Sequence, residues 1–145
     1  KIYLHYLRQK IEFLPWAPVL FFSAKTGKGI NELLPALKAI KVERHRRIDT
    51  SELNRFATDC YYGHVTPSIG TKIGKVKYAA QVDTNPPKFI FFVNNVKAFH
   101  FSYKRYLENK LRAKYGFHGT PITVEFRDSM DKFKGNKDRE EEGEK

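Results

Sequence analysis

The stretch 86–127 constrains the fold more than any other part of the chain. It opens on Pro86-Pro87, a pair that cannot stand inside a central strand. Residues 88–94 follow, β-branched and aromatic, apolar on both faces and too short for a helix, which predicts a buried strand. A polar turn at Asn94-Asn95 leads to a short helical piece over 96–100. Ser102 is placed to cap the next helix, whose inner stripe is Tyr103, Tyr106, Leu107 and Leu111. Lys110 falls within that apolar arc and must snorkel or find a partner. Gly116 is placed to end the helix in a left-handed conformation. Ile122, Val124 and Phe126 then alternate with Thr123, Glu125 and Arg127, the period of a half-buried strand.

Upstream, Asp49 or Thr50 caps a helix with the stripe Leu53, Phe56, Ala57, Cys60 and Tyr61, all expected in the core. Residues 63–74, with Pro67, Gly70 and Lys72, read as a flexible loop. Residues 75–82 read as a strand turning Val76, Tyr78, Ala80 and Val82 one way and Lys75 and Lys77 the other. The expected class over 48–127 is α+β, in α-β-β-α-α-β order, with a three-stranded sheet and helices packed on one face. Within it, strand, short helix, longer helix and strand over 86–127 make the βααβ order of a small RNA-binding-type module.

The first 47 residues have a different rhythm. Tyr3 or Leu4, Leu7, Ile11 and Leu14 predict a helix over 1–14, stopped by Pro15. Residues 19–22 predict a short buried strand and 23–29 a loop. A second helix has Asn31 as its expected cap, Pro35 in its first turn and the stripe Leu33, Leu34, Leu37 and Ile40. Lys41, Arg44, Arg46 and Arg47 suit its C-terminal end and also form a candidate phosphate-contacting cluster. Residues 48–50 are the expected joint between two domains.

Three separated blocks, 77–95, 102–112 and 117–122, occur in the order found in the C-terminal KH-like domain of the EngA/Der family. These are bacterial GTPases with two tandem G domains followed by this module. The resemblance implies a KH-like fold for 48–127 and a role in large-subunit ribosome assembly. It implies ribosomal RNA and the protein's own upstream G domains as partners, in the bacterial cytoplasm. The segment 1–47 resembles the last helix-strand-helix of a Ras-like α/β G domain, and Ser23, Ala24 and Lys25 match its final guanine-contacting motif. The bland alternative is a Gly-rich turn that binds nothing.

A working G domain also needs a phosphate-cradling loop, a magnesium site and an Asn-Lys-x-Asp. Residues 70–76 imitate a phosphate loop but are one residue short and lack Ser or Thr after the lysine. Asn136-Lys137-Asp138 has its aspartate one place early. The chain alone is therefore expected to bind no GTP and to catalyse nothing; GTP and magnesium are expected only in the full-length protein. Lys1 in place of Met reads as part of a longer chain.

The net charge is +11, and the basic excess lies in residues 1–127; 128–145 hold 5 basic and 7 acidic residues and are expected to be disordered. Such a balance favours a polyanion. DNA has no support, because no recognition-helix arrangement is visible, and no apolar run is long enough to span a membrane. Cys60, the single cysteine, reads as a small core residue, and the five histidines show no metal-ligand spacing. KH modules grip nucleic-acid backbone with a Gly-x-x-Gly between their central helices. Here that junction is Ala98-Phe99-His100-Phe101, while Gly116-Phe117-His118-Gly119 stands in the wrong place. Contact with RNA is therefore expected through other basic residues: Lys72, Lys75, Lys77, Lys88, Lys97, Lys104, Arg105, Arg112 and Lys114. The competing reading is an intramolecular regulatory domain that docks on the G domains without touching RNA.

Overall fold

The computed structural model describes residues 2–12, 14–64 and 67–129. The expected disordered tail therefore lies almost wholly outside the described residues, as does the 136–138 motif. Only Asp128 and Ser129 of it are seen. Asp128 closes the last strand, and the Ser129 amide donates to the Val93 carbonyl at 2.9 Å.

The helices are α1 (Ile2–Lys10), α2 (Leu33–Arg44), α3 (Thr50–Tyr62) and α4 (Phe101–Tyr115). The strands are β1 (Ser68–Ile69), β2 (Lys72–Ile73), β3 (Val76–Thr84), β4 (Pro87–Val93) and β5 (Thr123–Asp128). β4 is the centre of a three-stranded mixed sheet, antiparallel to β3 and parallel to β5. Pro87 is tolerated there because it is the first residue of its strand. Helices α3 and α4 cover one face. Leu53, Phe56, Ala57 and Cys60 from α3 and Tyr103, Leu107 and Leu111 from α4 pack with Ala79, Phe89, Phe91, Val93 and Val124 in one core. The fold is α+β in the expected order, with the first helix of the central pair reduced to a 3-10 turn at Val96–Ala98.

Asp49 caps α3, its carboxylate accepting from the Ser51 amide at 2.8 Å. The joint that follows α2 is pinned rather than slack. Ile48 is buried, and the side chain of Gln81 accepts from the Ile48 amide at 2.8 Å and donates to the Arg46 carbonyl at 2.9 Å.

Several local expectations are overturned. Val76 packs on the core as expected, but beyond Lys77 the phase of β3 is inverted: Ala79 and Gln81 face the helices, while Val82 is exposed. The register skips at Val76/Tyr78 and at Gln81/Asp83, and each skipped residue moves the following side chains to the opposite face. The loop 63–74 contains a β1–β2 hairpin whose two-residue turn is Gly70-Thr71, so the phosphate-loop imitation is a hairpin tip. Tyr61 is half-buried rather than core. Ser102 does not cap α4; the cap position falls two residues earlier, at His100, with no side-chain cap. Gly116 has φ 89° but ψ −101°, a positive-φ ending outside the left-handed helical well.

The first 47 residues depart most. Helix α1 ends at Lys10, well before Pro15. Residues 19–22 form no ladder, and Phe21 and Phe22 are exposed. A strand exists only beside a hydrogen-bonded neighbour, and no described strand pairs with this one. Asn31 lies in a 3-10 turn and caps nothing, and Leu34 and Leu37 of the predicted inner stripe are exposed.

Candidate nucleic-acid interface

Lys75 and Lys77 reach the surface for a reason the alternation of β3 did not predict. The ladder passes from Val76↔Val93 to Tyr78↔Phe92, so Lys77 is the extra residue of a bulge. Bulges re-aim side chains. Both lysines are exposed, and neither enters an ion pair among the described residues.

They frame a groove of about 340 Å³ between β3 and α3, lined also by Thr58, Tyr61, Tyr62 and Tyr78. Tyr62 is 81% exposed, with Tyr61 set edge-on to it at 5.3 Å. Tyr78 stacks on Phe92 at 4.2 Å. Asn54 closes the upper end. Its side chain accepts from the Ala79 amide at 2.8 Å and donates to the Ala79 carbonyl at 3.0 Å, standing in for a neighbouring strand. The tyrosines were not legible as site residues. Their only signal is that Asn54, Thr58 and Tyr61 lie three or four residues apart on one side of α3.

Asn94 links this groove to a second basic site. Its side chain accepts from the Lys75 amide at 2.6 Å and donates to the Ile73 carbonyl at 3.0 Å. Asn94 also borders an open depression with Ile69, Ile73, Lys72 and Lys97. Lys77, Lys75, Lys72 and Lys97 therefore follow one edge of the module.

The other five candidates are not brought together with these. Lys88 pairs with Glu125 at 2.7 Å, and that lysine is the main reason the Glu125 pKa lies below its ordinary value. Lys104 and Arg105 lie on the outer side of α4, with Arg105 over the Phe101 ring. Arg112 is committed internally. Its guanidinium donates to the Phe117 carbonyl at 2.7 Å and the Thr120 carbonyl at 3.0 Å, and it stands 5.3 Å from the Trp16 ring. Burial pushes the Glu108 carboxyl up, against the pull of Lys104, Arg112 and Arg105. Lys114 lies over the Phe56 and Tyr115 rings, and Lys110 lies over Tyr106.

The displaced Gly-x-x-Gly is a docking point. Phe117 is fully buried with φ 60°, its ring edge-on to Phe89 at 5.7 Å. The Phe117 amide donates to Glu43 Oε2 at 2.6 Å, and the Gly119 amide donates to the Trp16 carbonyl at 3.0 Å. A side chain at Gly119 would collide with Ile40 of α2, and φ +73° adds strain for any other residue. Burial pushes the Glu43 carboxyl up. The Arg46 hydrogen bond and the Phe117 and His118 amides outweigh it, so the net shift is downward.

Ser23, Ala24 and Lys25 form a turn closed on itself. The Ser23 hydroxyl accepts from the Thr26 amide at 3.2 Å, and the Ser23 amide donates to the Lys28 carbonyl at 2.9 Å. Ala24 and Lys25 are exposed. Among the described residues no group of His, Cys, Asp or Glu is arranged to hold a metal, and no helix is long and apolar enough to cross a membrane. Cys60 is buried, and burial raises its thiol pKa.

Comparison with known proteins agrees with this architecture. A family model described as the KH-domain-like C-terminal part of EngA bacterial GTPase enzymes matches residues 47–127. The chain is 45% identical over 121 residues to GTPase Der of Thermomicrobium roseum, covering 83% of this chain and 26% of that protein. It is 43% identical over 126 residues to GTPase Der of Chloroflexus aggregans, covering 85% and 28%. To GTPase Der of Clostridium novyi it is 44% identical over 122 residues, covering 84% and 28%. The chain thus spans little more than a quarter of the length of these curated relatives. With its three-stranded mixed sheet, its helices on one face and this match over most of its length, the chain belongs to the family of KH-like domains that stand at the C-terminus of EngA bacterial GTPases.

Proposed function

We propose that this chain is the C-terminal part of a GTP-binding protein needed for ribosome biogenesis, and that its KH-like domain contacts ribosomal RNA of the large subunit. GTP and magnesium would belong to the upstream G domains, and the site of action would be the bacterial cytoplasm. Residues 1–47 would close the second G domain, 48–127 form the KH-like domain and 128–145 make a charged tail. The observation that carries the RNA reading is the pair Lys75 and Lys77, exposed, without ion-pair partners among the described residues, and continuous with Lys72 and Lys97 along one edge. Unpaired cations release counterions from RNA at no internal cost, whereas Lys88 must first give up Glu125.

Lys75→Glu with Lys77→Glu should weaken binding to structured ribosomal RNA uniformly across sequences and flatten the salt slope by about 1–2 units. Lys137→Glu with Arg139→Glu should do little. Equal loss in both pairs would show diffuse attraction with no role for this edge.

A second reading is favoured by a specific observation. The α2 end and the Trp16 turn hold the 117–119 loop through Glu43 and the Trp16 carbonyl. Ser23, Ala24 and Lys25 lie just upstream of α2, so a guanine nucleotide held there would be coupled to the KH-like domain through that helix. In that reading the domain is an intramolecular regulator without RNA contact. A parent chain that binds no RNA even at low salt would leave it standing alone.

A further inference from the structure

We propose that the groove between α3 and β3 seats an unpaired segment of RNA, with a base stacked on Tyr62 and the adjoining phosphates on Lys75 and Lys77. The inference rests on the RNA-contacting reading above and names the form of RNA that this edge takes. The place differs from the junction at 98–101 where a KH module would carry its Gly-x-x-Gly.

Tyr62 is 81% exposed at the last position of α3, and Tyr61 holds an edge against it at 5.3 Å and 77°. A ring that buries little of itself contributes little to the core. It presents a π-face to solvent, and every base has a matching one. The facing wall supplies the opposite chemistry, with the Lys75 and Lys77 ammonium groups free of acidic partners among the described residues.

The acidic residues of α3 turn elsewhere. Neither Glu52 nor Asp59 lines the groove; both add to the rise of the Tyr115 hydroxyl, which burial first of all pushes up to about 12. Asp59 also borders the separate depression beside Tyr106 and Lys110. No carboxylate lines the groove, and its two charged residues, Lys75 and Lys77, are both cationic. A cleft of about 340 Å³ is at the low end of ligand-sized sites. It admits a splayed base and excludes a duplex, whose bases stay stacked and out of reach of an aromatic side chain. Beyond Lys75, Asn94 joins this wall to the separate depression that holds Lys72 and Lys97, which offers the backbone a basic exit.

The test is fluorescence anisotropy at low salt, with a labelled oligouridine of about 12 nucleotides and an RNA duplex of equal length. The proteins are this chain, Tyr62→Ala, Tyr62→Phe, and the Lys75→Glu/Lys77→Glu pair. Tyr62→Ala should weaken single-strand binding about tenfold and leave duplex binding within about twofold. Tyr62→Phe keeps the ring and should restore single-strand binding. The lysine pair should weaken both RNAs. Unchanged thermal melting of Tyr62→Ala checks that the fold is intact. Single-strand affinity unchanged in Tyr62→Ala, or lost equally with duplex affinity, overturns the groove while the RNA-contacting reading stands. A parent chain that binds neither RNA overturns both.

Discussion

The carboxylate of Glu43, in the last turn of α2, accepts the backbone amide hydrogen of Phe117 at 2.6 Å. Phe117 is buried in the core that α4 and β4 share, so this bond ties the 1–47 segment to the inside of the KH-like fold. Glu43→Ala would leave a buried amide without an acceptor and should cost about 1–3 kcal/mol in urea melts at neutral pH. The folded-state pKa of Glu43 lies below its ordinary 4.5. Its contribution is thus fully present above about that pH and is lost as pH falls through the lower folded value. The gap between parent and Glu43→Ala should shrink on acidification below about pH 4.5. A gap independent of pH would show that the ionised carboxylate is not the acceptor.

Gln81 is the second tie. It is buried, and both ends of its amide are used, toward Ile48 and Arg46. Gln81→Leu keeps the bulk but orphans two backbone groups. The expected loss is about 1–3 kcal/mol for each group left buried and unpaired, read from chemical denaturation. A melt indistinguishable from the parent would mean the joint reaches water.

The core of the module rests on α4. Leu107 is 1% exposed, and Leu107→Ala should cost about 2–5 kcal/mol. Tyr106 is half-buried and donates its hydroxyl hydrogen to the Cys60 carbonyl at 3.3 Å, so Tyr106→Ala should cost less. The reverse ranking in paired melts would contradict the packing of α4.

Arg112 separates folding from binding. Its two nitrogens bridge the Phe117 and Thr120 carbonyls, a fork that lysine cannot reproduce. Arg112→Lys should lower the melting temperature, whereas Arg105→Lys, on the exposed side of α4, should not. Equal melting of the two variants would remove the structural role from Arg112.

Nucleotide binding has its own check. Titration calorimetry of the chain with millimolar GTP and magnesium should give no specific heat, because one guanine loop supplies none of the phosphate or magnesium contacts. A micromolar affinity would contradict that expectation.

The sequence by itself determined the core elements of the KH-like module. Leu53, Phe56, Ala57 and Cys60 at helical spacing, 88–94 apolar on both faces, and Leu107 with Leu111 left one arrangement that buries them all. Periodicity suffices when both faces of an element meet partners within the same stretch of chain. The tertiary structure decided what periodicity cannot carry. The skip at Lys77 re-aimed that lysine and inverted β3 as far as Gln81, and the second skip left Val82 exposed, because a bulge is a property of strand pairing. The basic edge came from Asn94 bridging Lys75 and Ile73, contacts across about twenty residues of chain. The same limit explains 19–22 and the stripe Leu34 and Leu37, where apolar residues at good spacing remain exposed. A hydrophobic pattern states that a face is to be covered, and only the fold says which element covers it.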